Sequence, residues 1–106
     1  MQFLRQLFPP FALASLLIGI QIAGCVGAPV QEMFDARQAI RAARQAGAEQ
    51  HAPAELAEAQ RYLDLAKGNL QHGEYRDARD NAEQARARAL EARRLAEEAT
   101  GKQQQP

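Results

Sequence analysis

A regular series of small residues in the last third of the chain constrains the fold more than any other feature. Between residues 75 and 99, residues recur at alternating intervals of three and four without a miss: Tyr75, Ala78, Ala82, Ala85, Ala89, Ala92, Ala96 and Ala99. An α-helix has about 3.6 residues per turn, so this spacing places the whole series on one face. Alanine also favours helix formation and allows helices to approach closely. The series therefore predicts a helix over residues 74–99 that packs tightly against another helix.

Two shorter stretches carry the same spacing, over residues 31–46 and 53–71. Their stripes are Met33, Ala36, Ile40, Ala43 and Gly47 in the first, and Leu56, Ala59, Leu63, Ala66 and Leu70 in the second. Proline is tolerated at a first helical position, as at Pro53, and glycine often ends a helix, as at Gly47 and Gly73. The two-residue connection His72-Gly73 makes the last two helices antiparallel neighbours. The predicted fold is all-α: an alanine-rich antiparallel helical hairpin or a three-helix bundle over residues 31–100, with a flexible polar tail at 101–106.

The antiparallel arrangement also predicts which residues face each other. The expected helix-packing residues are Leu56, Leu63 and Leu70 against Ala82, Ala89 and Tyr75. Opposite charges at helical spacing predict surface ion pairs, among them Arg79–Glu83, Arg93–Glu97 and Arg94–Glu98. At ~1.5 Å per residue the last helix is ~39 Å long and the preceding one ~28 Å, so roughly seven residues should overhang. We expect this overhang, with Arg93 and Arg94, to be a contact surface, or else a solvated helix end.

The first 24 residues have the pattern of an export signal. A single cation, Arg5, precedes an apolar run of residues 11–22 that is interrupted only by Gln21. This run would reach ~18 Å as a helix, short of the ~30 Å hydrocarbon core of a bilayer. The length favours a cleavable signal helix over residues 1–24, and a degenerate transmembrane anchor is the less favoured alternative.

The sequence Ile22-Ala23-Gly24-Cys25 resembles the lipobox of bacterial lipoproteins. This resemblance implies cleavage between Gly24 and Cys25, and a diacylglycerol and an N-acyl chain attached covalently to Cys25. Residues 25–30 would then form a lipidated tether. Val26 stands where inner-membrane retention typically uses Asp, so the resemblance implies the outer membrane, periplasmic side, rather than the inner membrane. The alternative is that Cys25, the only cysteine of the chain, has a buried or redox-active thiol.

Composition disfavours several functional classes. The formal net charge is zero, whereas nucleic-acid-binding proteins usually carry a basic excess. Beyond residue 24 there is no serine and one threonine, Thr100, and Cys25 would be used for lipid, so catalysis by a serine or cysteine nucleophile is not expected. His51 and His72 lie 21 residues apart, ~30 Å along a helix, too far to share a metal. We therefore predict that the protein is not an enzyme and has no metal or cofactor besides the covalent lipid.

Three arginines, Arg37, Arg41 and Arg44, share one face of the first predicted helix. They are candidates for contact with anionic lipid headgroups or with another envelope protein. The alternative is an ordinary polar face whose charges are balanced by Glu83 and Glu91 of a parallel last helix.

Two motifs punctuate the helices: Ala-Pro-x-Glu-Leu at residues 52–56 and Gly-x-Tyr-x-x-Ala at residues 73–78. With the alanine series they resemble the small bacterial envelope lipoproteins of domain-of-unknown-function family 4398, over about residues 31–99. The resemblance implies a helical architecture, association of some relatives with peptidoglycan-binding outer-membrane modules, and no catalytic residues. We expect a membrane-anchored structural or interaction module whose partner is an envelope protein or a second copy. The alternative is a tether between the outer membrane and peptidoglycan.

Overall fold

The computed structural model describes the backbone of residues 27–104 and the side chains of residues 27–101. This part of the chain contains four helices and no strand: α1 (Val30–Gln45), α2 (Ala48–His51), α3 (Pro53–Gln71) and α4 (Tyr75–Gln104). The predicted all-α class is confirmed. Of the two predicted architectures, the chain adopts the three-helix bundle, because α1 and α3 both pack along α4 and also touch each other. The predicted signal peptide, with Gly24 and Cys25, lies outside the described residues.

Contacts between helices fix their directions. Glu32, at the start of α1, lies 3.2 Å from Arg79 near the start of α4, so these two helices run parallel. In contrast, the side chains of Asn69 and Asn81 are hydrogen-bonded at 2.7 Å close to the turn that joins α3 to α4. The α3–α4 hairpin is therefore antiparallel, as the two-residue connection predicts.

Alanine forms most of the bundle core. Every alanine of the series from Ala78 to Ala96 is fully buried in α4, and α1 and α3 bury the stripes facing it. The large apolar side chains in the described core are few: Met33, Ile40, Leu56 and Leu63. Because alanine has a small side chain, each of these four residues buries more apolar area than any single alanine of the core.

The segment between α1 and α3 contains a short helix that the periodicity did not predict. Gly47 ends α1 with a left-handed φ of +94°, and α2 follows at once. Ala48 and Ala52 are buried at 0 % and 2 % exposure, which closes this end of the bundle against α4. A four-residue helix has no repeat, so its buried residues give no periodic signal.

The turn between α3 and α4 explains why the hairpin closes at His72-Gly73. Gly73 has a φ of +73°, and its N–H donates to the carbonyl of Leu70 at 3.2 Å. The N–H of Glu74 donates to the carbonyl of Asn69 at 2.9 Å. These two bonds form a Schellman motif, which satisfies carbonyls at the end of α3 and favours glycine at the left-handed position. The helix α3 has the predicted bounds.

The predicted burial of Tyr75 and Leu70, near the turn of the hairpin, needs correction. Tyr75 is 42 % exposed and Leu70 is only partly buried, although both were expected in the packing stripe. The Glu32–Arg79 pair places the start of α1 one turn beyond Tyr75, so neither α1 nor any other described helix covers this end of the hairpin.

At its other end, α4 continues to Gln104 through residues predicted to form a flexible tail. Gly101 does not adopt a left-handed conformation and so does not cap the helix, in contrast to Gly47 and Gly73. Glutamine is a good helix former, so nothing in residues 101–104 other than Gly101 opposes continuation of the helix.

Candidate functional site

The outward surface of α1 carries the three arginines singled out from the sequence. The side chains of Arg37, Arg41 and Arg44 are all exposed. Arg44 donates from Nη2 to Oε1 of Gln60 at 3.1 Å, and its Nε lies 3.6 Å from Oε1 of Glu49. Within the described residues, Arg37 and Arg41 take part in no ion pair. Two cations of α1 therefore face solvent with no neutralising carboxylate from the described part of the chain.

The carboxylates expected to balance these arginines do not do so. Glu91 accepts hydrogen bonds from Arg94 in its own helix, and Glu83 forms no ion pair within the described part of the chain. The one α1–α4 ion pair there uses Glu32 and Arg79. The parallel direction of α1 and α4 is as predicted, but the arginines of α1 lie on the side that turns away from α4.

Two exposed apolar side chains share a face with these arginines. Val30 is 73 % exposed and Phe34 is 52 % exposed. Val30, Phe34, Arg37 and Arg41 are spaced by four, three and four residues, which places them on one side of the helix. We call these four residues the outer face of α1. Sequence reasoning missed Val30 and Phe34, although extending the arginine spacing toward the N-terminus would have found them.

Cations of both neighbouring helices flank the outer face. On one side, Lys67 of α3 lines a shallow groove with Arg37, Arg41 and Arg44. On the other side, Arg86 and Leu90 of α4 line a groove with Gln38 of α1. The outer face is thus the middle of a wider surface that is basic and partly apolar.

A second charged cluster lies near the C-terminal end of α4. Arg94 lies 2.6 Å from a carboxylate oxygen of Glu91 and 2.6 Å from one of Glu98. The Arg93–Glu97 pair has an N–O distance of 2.7 Å. The hydrogen bond from Arg94 lowers the pKa of Glu91, and the two carboxylates raise the pKa of Arg94 above its usual range. The predicted pairs Arg93–Glu97 and Arg94–Glu98 are present, whereas Arg79 contacts Glu32 instead of Glu83.

The uncovered end of α4 begins later than predicted. Ala96 is fully buried and Leu95 packs against the core, so Arg93 and Arg94 still lie alongside the bundle. Residues 97–104 form the part of α4 that no other described helix covers, and we call this part the α4 arm.

The side chains that could bind a metal are dispersed over the described residues. No three His, Cys, Asp or Glu side chains between residues 27 and 101 lie together as metal ligands would. His51 and His72 lie at or just beyond the ends of separate helices, and Nδ1 of His72 is 2.7 Å from the carbonyl oxygen of Gly68. None of the helices α1 to α4 combines the length and apolar character needed to cross a bilayer.

The fold and its surfaces define a small alanine-rich three-helix bundle with a basic outer face on α1 and a charged helical arm. Comparison with protein families identifies the same segment: the family model described as "Domain of unknown function (DUF4398)" matches residues 31–105. The chain therefore belongs to this family, as its two turn motifs suggest. No curated protein and no solved structure matches the chain.

Proposed function

We propose that this protein is a lipid-anchored component of the bacterial cell envelope that faces the periplasm, on the outer membrane in preference to the inner one. In this role it acts as a non-enzymatic structural or protein-interaction module. The observation that carries the proposal is the short distance between the lipobox-like sequence and the bundle. Cys25 precedes the first residue of α1 by five residues, at most about 18 Å of extended chain. A lipid on Cys25 would therefore hold α1 next to the membrane.

The α4 arm supports an interaction role. It extends past the last buried alanine, Ala96, and carries Glu97 and Glu98 on a helix that neither α1 nor α3 covers there. Both carboxylates pair with arginines one turn earlier, which favours helical backbone in the first turn of the arm. A helical, uncovered end offers a partner a surface whose backbone needs little further ordering on binding. The partner would be another envelope protein or a second copy of this chain.

The lipid anchor is tested by the mass of the full-length chain expressed in a bacterial host that processes lipoproteins. We expect the purified protein to lack residues 1–24 and to carry the added mass of a diacylglycerol and an N-acyl chain. The Cys25→Ala variant is the control, and it should retain the mass of the unprocessed, lipid-free chain. A wild-type protein of unmodified mass would refute the anchor.

The interaction role is tested by photo-crosslinking in intact cells. A crosslinking residue at position 98, on the α4 arm, should capture a defined protein, whereas one at the exposed Gln84 in the middle of α4 should not. Equal labelling at the two positions would remove the arm as a binding surface. Recovery of the crosslinked protein with peptidoglycan would instead support the tether role.

A further inference from the structure

We propose that the outer face of α1 docks on a membrane surface containing anionic phospholipid, so that the bundle lies with α1 along the membrane. This inference rests on the proposed lipid anchor, and it adds the surface, the ligand chemistry and the orientation. The four residues of the outer face divide into an apolar half, Val30 and Phe34, and a basic half, Arg37 and Arg41. They span about 17 Å along the helix, so all four reach one plane only if α1 lies parallel to it.

The order of residues along α1 fits this arrangement. Among the described residues, Val30 and Phe34 are the large exposed apolar residues that follow the expected lipid attachment first, five and nine positions after Cys25. An aromatic side chain at this place enters the boundary between headgroups and acyl chains, while arginines one and two turns further contact phosphate groups. The core residues Met33, Ala36 and Ile40 lie on the adjoining side of α1, which faces the bundle. The inner side of α1 therefore packs the bundle, and its outer side carries the apolar and basic residues that suit an anionic lipid surface.

The charges around the outer face favour an anionic partner. Arg37 and Arg41 have no ion pair within the described residues, and Lys67 and Arg86 extend the basic surface on its two flanks. Two carboxylates border this surface. Asp64 is 3.9 Å from Lys67, and Asp35, which lines the groove with Arg86, accepts a hydrogen bond from Gln31 at 2.9 Å. In contrast to Arg37 and Arg41, the arginines with the shortest ion pairs, Arg93 and Arg94, are neutralised by glutamates of the same helix.

Docking through α1 also orients the α4 arm. Since α1 and α4 are parallel, a bundle that lies on α1 holds the arm along the membrane and not away from it. The arm would then meet neighbours within the same membrane. A tether to peptidoglycan would require the bundle to stand perpendicular to the membrane, and Phe34 would then lie in water.

The test uses the absence of tryptophan from the chain, which makes a single introduced tryptophan the only strong reporter. The Phe34→Trp variant reports on the outer face. The matched control is Leu65→Trp, since Leu65 is 45 % exposed but lies on α3 outside the groove shared with α1. Each full-length variant is purified, its mass is recorded, and it is mixed with vesicles of phosphatidylcholine alone or of equal parts phosphatidylcholine and phosphatidylglycerol.

We expect the emission of Phe34→Trp to shift to shorter wavelength and resist quenching by acrylamide only with phosphatidylglycerol present. The emission of Leu65→Trp should be the same in both vesicles. Adding Arg37→Gln and Arg41→Gln to Phe34→Trp should lower the ratio of docked to undocked protein roughly 25-fold, since each cation near an anionic surface contributes about fivefold. The charge-matched pair Arg61→Gln and Arg76→Gln should leave the ratio unchanged, and circular dichroism checks that each variant is folded.

The outcomes separate the inference from the proposed anchor. A lipidated, vesicle-bound protein whose Phe34→Trp emission is identical in both vesicles overturns the docking surface and leaves the anchor intact. The docking surface is also overturned if the substitutions at Arg37 and Arg41 and those at Arg61 and Arg76 lower the ratio of docked to undocked protein equally. The effect would then depend on net charge alone. A chain of unmodified mass that still gives the phosphatidylglycerol-dependent shift refutes the anchor and supports the docking surface.

Discussion

Replacing Leu63 by alanine tests whether four large side chains hold an alanine core together. Leu63 is 4 % exposed, lies in the middle of α3 and lines the α1–α3 groove with Ile40. The substitution removes three carbon atoms, which corresponds to about 2.4 kcal/mol of lost transfer free energy. Incomplete closure of the resulting cavity raises the expected loss to about 2.5–5 kcal/mol in free energy of unfolding. A folded segment of about 75 residues has a total stability of about 4–11 kcal/mol, so this one change removes a large part of it.

Thermal unfolding followed by far-ultraviolet circular dichroism measures this loss. We expect the Leu63→Ala variant to unfold about 10–40 °C below the wild type, because 1 kcal/mol corresponds to about 4–8 °C in a domain of this size. Leu65→Ala is the matched control: the same substitution two residues away, at a side chain that is 45 % exposed, should change stability by about 0.5 kcal/mol or less. Equal melting temperatures for the two variants would refute the assignment of the α3 core face.

Three further variants address the close packing, the turn and the charge cluster. Ala85→Leu should lower the free energy of unfolding by about 1–3 kcal/mol through overpacking, whereas Ala87→Leu on the exposed side of α4 should be nearly neutral in urea unfolding. Gly73→Ala should destabilise by about 1–2 kcal/mol because φ is +73°, while the helical Gly68→Ala, with open space around its Cβ, should stabilise by about 0.5–1 kcal/mol. The pKa of Glu91 is lowered in the folded chain, so its stabilisation is present above its unfolded pKa of about 4.5 and is lost as pH falls through the lowered value. The protection of amides at the end of α4, measured relative to the intrinsic exchange rate at each pH, should therefore fall in acid, and Glu91→Gln should remove that pH dependence.

The helical core was predictable because its signal is periodic. Burial of a helix face depends mainly on a 3.6-residue repeat, which alanine at spacings of three and four reveals directly. Ala78 to Ala96, Leu56 and Leu63 are accordingly buried where the spacing places them. The antiparallel direction of the hairpin followed from the two-residue turn, since so short a connection allows no other packing.

The ends of the helices were less predictable because burial there depends on neighbouring helices. The spacing that places Tyr75 on the packing face does not specify how far α1 extends, and α1 stops short of it. Similarly, Arg79 has a carboxylate four residues away in Glu83, yet it contacts Glu32 of another helix. A local pair contributes only ~0.2–0.5 kcal/mol, so the helix register, which spacing does not give, decides between such partners.

The arrangement of α1 links the stability of the bundle to its proposed docking. An alanine-faced hairpin of α3 and α4 buries too little apolar area to be stable alone, so it needs α1, which contributes Met33 and Ile40. The same helix presents Phe34 and Arg37 to solvent. Because the two sides share no side chains, outer-face substitutions should change membrane docking and leave the melting temperature within the range of ordinary surface changes. Substitutions of Met33 should do the reverse at temperatures where the bundle stays folded. A variant set in which docking and stability always change together would mean that the outer face acts only through the fold.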